Sequence, residues 1–92
     1  RRSGADLRMA ELQIELCGRL ADNVGRHISV ACPEAGFAVE QMFASLIAEY
    51  PPLAQPLASG RIKACVNDVI VSPDHLVRPQ DLVALFPPVS GG

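Results

Sequence analysis

No stretch of this 92-residue chain comes near the ~18–20 consecutive apolar residues that a membrane-spanning helix requires. Behind Arg1 and Arg2 there is no apolar core of a signal peptide either. The charge is nearly balanced, at −2, which leaves no basic footprint for nucleic acid or anionic lipid. The three cysteines, Cys17, Cys32 and Cys65, are an odd number at wide spacings and do not form a disulfide framework. A reducing cytoplasm is the expected compartment. His27 and His75 lie far apart, and neither joins a Cys or carboxylate at metal-ligand spacing, so no metal site is expected. Glu34-Ala35-Gly36, ahead of the one strongly helical segment, lacks the glycines of a phosphate-binding loop. Any ATP must then be held by another protein, and no permanently bound cofactor is expected.

What is present is the alphabet of one small globular domain, 49% hydrophobic and 20% charged. Residues 1–10 show no clear period and read as a flexible N-terminal arm. From Glu11 the pattern alternates, with Leu12, Ile14 and Leu16 opposed to Gln13, Glu15 and Cys17. A half-buried strand repeats this way. After a connection from Gly18 to Arg26 that holds Gly18, Asp22, Asn23 and Gly25, Ile28, Val30 and Cys32 make a second strand that Pro33 ends, and an antiparallel hairpin is the simplest pairing. Val39, Met42, Phe43, Leu46, Ile47 and Tyr50 then recur at steps of three and four, the stripe of an amphipathic helix that Pro51 and Pro52 stop. Ala38 stands where a capping Ser, Thr or Asp belongs, an omission costing about 1 kcal/mol that Glu40 near the positive helix end partly offsets. Leu53 and Leu57 follow in a Pro-broken connection with room for a short helical turn.

Strands return with Ile62, Ala64 and Val66. A tight Asn67-Asp68 turn leads into Val69-Ile70-Val71. Ser72-Pro73-Asp74 and Arg78-Pro79-Gln80-Asp81 are turns, and their aspartates, like Asp68, are read as stabilising local backbone rather than as acids or bases. Leu82 to Phe86 is a continuous apolar run, as in a strand covered on both sides or central in its sheet. The order strand, strand, helix, strand, strand, strand predicts an α+β fold over residues 11–86, a mixed sheet of about five strands with one main helix across it.

Residues 87–92 form the tail, Pro87-Pro88-Val89-Ser90-Gly91-Gly92. Two prolines cannot continue a ladder and favour a stiff, extended start. Gly91 and Gly92 have no side chains, so this end fits a channel too narrow for other residues. Six extended residues reach roughly 20 Å. The terminal carboxylate, with a reference pKa of about 3.5, is ionised at neutral pH. It is a poor electrophile until converted to a mixed anhydride with a nucleotide, after which a sulfur donor can leave a thiocarboxylate. A bare Gly-Gly end is more often simply frayed. This one directly follows a central-type strand and begins with a proline pair.

Phe86-Pro87-Pro88-Val89-Ser90-Gly91-Gly92 resembles the C-terminal signature of the molybdopterin synthase small subunit, the MoaD family. The likeness extends over about residues 12–92, through Val66-Asn67, Ile70-Val71, Gln80-Asp81-Leu82-Val83-Ala84 and the helix start at Val39-Glu40. The resemblance implies a ubiquitin-like β-grasp fold, with first and last strands parallel and adjacent at the centre. It implies that an ATP-dependent adenylating enzyme resembling ubiquitin-activating enzymes charges Gly92, and that a sulfur donor protein supplies the thiocarboxylate. The sulfur would then pass to cyclic pyranopterin monophosphate in the synthase large subunit, two carriers on a large-subunit dimer making a heterotetramer. The chain would not be an enzyme by itself. Two positions depart from the family: its usual Arg after the first strand is Ala21 here, with Arg19 nearby, and a common aromatic is Cys17. Cys17 and Ile70, opposite in phase to the core residues, join Phe86 and Arg19 as a candidate partner-docking patch. Carriers serving thiamine or tRNA thiolation or protein conjugation, and a passive β-grasp interaction module, are the competing readings.

Overall fold

The computed structural model describes residues 8–87. Strand β1 (Met9–Leu16) pairs antiparallel with β2 (His27–Pro33), from Met9 opposite Pro33 to Glu15 opposite His27. Pairing therefore begins two residues before the expected start at Glu11, and Met9 and Ala10 belong to the sheet rather than to an arm. The Glu34 N–H reaches back to the Arg8 carbonyl at 3.0 Å and extends that pairing. Residues 1–7 lie outside the described residues. After a single 3₁₀ turn at Gly18–Ala21, the chain enters β2, and Pro33 closes it as expected.

The apolar run ends in β7 (Val83–Phe86), which lies between β1 and β4 (Lys63–Val66). It runs parallel to β1, with Leu16 opposite Leu85, and antiparallel to β4, with Ala64 opposite Leu85. A short β5 (Val69–Val71) completes the order β2-β1-β7-β4-β5. Helix α1 (Val39–Glu49) crosses one face of this sheet. Leu12, Ile14, Leu16, Met42, Leu46 and Leu85 seal the layer between them, each no more than 1% exposed. The Tyr50 hydroxyl donates to the Ser29 carbonyl at 2.8 Å, tying the helix end to β2. Pro51 and Pro52 start a 3₁₀ turn that passes into a short helix, α2 (Ala54–Ala58), and Leu53 and Leu57 plug the open end of the core. Among the described residues no helix is long and apolar enough to cross a membrane.

Two elements have no counterpart in the periodicity. Phe37–Ala38 (β3) and Leu76–Val77 (β6) form a separate two-stranded sheet. Two residues are too few to show an alternation. This ribbon also resolves the missing helix cap. The Val39 N–H donates to the His75 carbonyl at 3.0 Å and the Glu40 N–H to the Pro73 carbonyl at 2.9 Å, while the Gln41 side chain accepts the Ala38 N–H. Backbone carbonyls from a distant loop satisfy the donors that an Ala38 side chain cannot. Gly36 lets the strands meet: at φ +96, a Cβ there would stand 2.8 Å from the Val77 carbonyl oxygen.

Cys32 faces the core at 0% exposure. Burial pushes its thiol pKa up, and the Asp81 carboxylate adds to the shift. It remains a protonated thiol at neutral pH, a packing group rather than a nucleophile.

Candidate functional site

The sheet has one covered face and one open face, and the open one leads to the tail. Along β7, Val83 and Leu85 point into the core, while Ala84 and Phe86 are half-buried on the other side. The apolar run thus belongs to a central strand that helix α1 covers on one side only. Ala84 stands opposite Cys65 on β4 and Glu15 on β1, and Cys65 stands opposite Ile70 on β5. Phe86 is opposite Lys63. Cys17, just past β1, donates its N–H to the Leu85 carbonyl at 2.9 Å and is half-buried. Period-two geometry puts it on the same face as Phe86.

Cys17, Phe86 and Ile70, drawn from three distant segments, therefore share one surface, and Ile70 is 61% exposed on it. Cys65 and Ala84 lie between them on the same face, and the uniformly apolar run had hidden the placing of Ala84. Arg19 does not lie on this face: it is exposed in the 3₁₀ turn after β1, beside the start of the tail. There Gly18, Arg19, Arg61, Ile62 and Pro87 line one shallow hollow. Gly18 adopts φ +61, and a Cβ on it would lie 3.6 Å from Pro87 Cγ, so this turn packs against the first proline of the tail. Pro88, Val89, Ser90, Gly91 and Gly92 lie outside the described residues.

The route of β7 to this point is set at its other end by Asn67. Asn67 and Asp68 adopt φ +51 and +71, the left-handed pair of a type I′ hairpin turn. From there the Asn67 side-chain carbonyl accepts the Leu82 N–H at 3.0 Å, and its own N–H donates to the Leu82 carbonyl at 2.8 Å. Its amide group donates to Asp81 Oδ1 at 3.2 Å, and Asp81 Oδ2 accepts the Arg78 N–H at 2.8 Å. Leu82, expected in the strand, is instead held here as its 73% exposed approach. Asn67→Ala is expected to lower stability by about 1–3 kcal/mol, through lost hydrogen bonds and left-handed strain. Asn67→Gly should recover only the strain component, as read from urea midpoints of the two variants.

Asp68 and Asp81 serve turns. The Ser72 hydroxyl, donating to Asp74, is the main influence holding that carboxyl below the usual carboxylate range. Among the described residues no group of three or more His, Cys, Asp or Glu is placed to hold a metal ion.

The ThiS family sequence pattern matches this chain over residues 14–92, from the first strand through the tail. The chain belongs to the ThiS family. With that membership it takes its place among small ubiquitin-like sulfur carriers. A further relative is the molybdopterin synthase sulfur carrier subunit of Escherichia coli (strain K12), 41% identical over 54 residues, which are 59% of this chain and 67% of that protein. The crystal structure of small archaeal modifier protein 1 from Haloferax volcanii superposes with a TM-score of 0.76 at 24% identity, covering 90% of this chain and 100% of that one. The solution structure of the corresponding Methanosarcina acetivorans protein gives 0.72 at 22% identity, over 92% and 99%. These likenesses establish the fold of this ThiS-family chain as a β-grasp, with the parallel central pair β1–β7 and the helix across one face.

Proposed function

We propose that this ThiS-family protein is the sulfur carrier subunit of a molybdopterin synthase, with Gly92 as its reactive residue. The observation that carries the reading is the Phe86–Gly92 sequence, which leaves a central strand and falls wholly within the family match. The Escherichia coli relative favours molybdopterin over the other customers of such carriers. An adenylating enzyme binds ATP and forms the Gly92 acyl-adenylate with release of pyrophosphate. The outer sulfur of a donor protein's persulfide displaces AMP, and attack of a second thiol on the resulting acyl disulfide releases the thiocarboxylate and leaves a disulfide on the donor. Gly92 enters the large subunit first, and Gly91, Ser90, Val89, Pro88 and Pro87 thread in behind it. Gly92 then gives its sulfur to cyclic pyranopterin monophosphate, with catalytic side chains from the large subunit in a heterotetramer. The domain itself positions the tail.

Incubation with the adenylating enzyme, ATP and a sulfur donor is expected to exchange one oxygen for sulfur at Gly92, seen by intact-mass analysis. An unchanged mass under conditions that charge the Escherichia coli carrier would refute the reading. The modifier-protein structures support a second reading, conjugation of Gly92 to protein amines. Amide-linked adducts in place of a thiocarboxylate would decide for it.

The open face is the docking surface in this proposal. A large hydrophobe exposed on a sheet face whose neighbours are Cys65 and Ala84 offers apolar area to a partner. Ile70→Glu is expected to weaken large-subunit binding at least about tenfold by desolvating a charge, while leaving thermal stability within about 0.5 kcal/mol because the site is exposed. Calorimetry of binding and of unfolding separates the two effects.

A further inference from the structure

The overall charge of −2 conceals a strong separation. The ends of four neighbouring strands meet where the tail leaves the domain. Arg26 precedes β2, Arg19 follows β1, Pro87 follows β7, Arg61 lies two residues before β4, and Lys63 begins it. All four cations are exposed. Segments 17–27 and 61–63 contain one carboxylate, Asp22. The other described residues carry eight carboxylates against Arg8 and Arg78. Glu15, opposite His27 and one residue before the end of β1, is the nearest of the eight in register.

We infer that this cationic arc is a docking surface for an acidic protein rim, and that the charge separation presents the carrier to its partner tail first. The inference rests on the reading above, in which a partner admits the tail into a channel. The five residues beyond Pro87 reach at most about 17 Å. A partner that works on Gly92 inside a channel must therefore bring its channel mouth against the root of the tail. There it meets guanidinium and ammonium groups before it meets the apolar face. Carboxylates around the mouth complement them, and the eight acidic groups elsewhere on the domain repel the same rim and disfavour inverted encounters. Those eight groups also oppose a polyanion long enough to span the domain, which argues against nucleic acid as the occupant.

Association of the full chain with the purified synthase large subunit is expected to slow at least about tenfold in Arg19→Glu/Arg61→Glu at low salt, with dissociation little changed. The wild-type rate should fall as salt rises, and the variant should lose most of that dependence. Glu34→Arg, at the far end of β2, is expected to bind at close to the wild-type rate. Equal slowing by Glu34→Arg, or no slowing by the double variant, overturns the inference. A second measurement needs neither the large subunit nor sulfur on Gly92. A short oligoglutamate peptide, titrated into the isotope-labelled chain, should shift amides of residues 18–27 and 61–63 and not those of Glu34, Asp68 or Asp81. Arg19→Gln/Arg61→Gln should abolish the shifts in an otherwise unchanged spectrum. Absent or scattered shifts overturn the inference, as does tighter binding of single-stranded RNA of equal charge, which would assign the arc to nucleic acid. Failure of sulfur loading with retained peptide shifts would instead strike only the functional reading.

Discussion

Deletion of Gly91 and Gly92 is expected to abolish molybdopterin formation while leaving the domain folded. Two residues account for roughly 7 Å of reach, and a displacement of even about 1 Å from the reacting geometry can cost a hundredfold in rate. The shortened chain would end at Ser90, whose side chain is also harder to admit where glycine passes. A loss of more than about a thousandfold follows, in the first-turnover rate of product formed by large subunit, substrate and carrier. The thermal unfolding midpoint should be unchanged, because the fold is built from residues before the deletion. Substantial molybdopterin formation by the truncated carrier would remove Gly92 from the mechanism. Gly92→Ala should fall between, because it keeps the reach and adds a methyl group.

Leu85→Ala has the largest expected effect on stability. Leu85 is 0% exposed on the central strand, opposite Leu16 on one side and Ala64 on the other. Truncation leaves a cavity bounded by two strands and α1, which ladder hydrogen bonds keep from collapsing. A cost of about 3–4 kcal/mol is expected for such a site. Against a total stability of about 5–15 kcal/mol, this brings the domain near its unfolding threshold at physiological temperature. Urea unfolding should show a lower midpoint with an unchanged slope. Leu82→Ala, three residues earlier and 73% exposed, should cost less than about 0.5 kcal/mol. If both leucines cost the same, the placement of β7 would be wrong.

These two leucines show how far the local pattern could be read. Both belong to one apolar run, and hydropathy alone does not tell which side chain enters the core. The difference arises because Asn67, fifteen residues upstream, takes both backbone groups of Leu82 and starts the ladder at Val83. The helix start is similar. Ala38 looks uncapped in sequence, yet Pro73 and His75 supply the missing acceptors through a two-residue ribbon too short for a periodic signal. By contrast, the β1–β2 hairpin, α1 and the Asn67-Asp68 turn were legible, since each depends on contacts or dihedral preferences local in sequence.

The candidate site divides along the same line. Cys17 and Ile70 were recognised as out of phase with the core, because alternation is a property of a single strand. Their common face with Phe86, and the arc of Arg19, Arg26, Arg61 and Lys63 at the tail root, depend on strand order and register. The sequence by itself determined α1 and the longer strands, the apolar side of β1, β2 and β4, and the Pro-Pro-Val-Ser-Gly-Gly chemistry of the end. A central place for the last strand was already among the expectations from its apolar run; only the tertiary structure decided which distant strands flank it and gathered the cations around the root of the tail. Side-chain periodicity and backbone preference act over a few residues, whereas the neighbours of a strand are chosen by burying the whole apolar face at once.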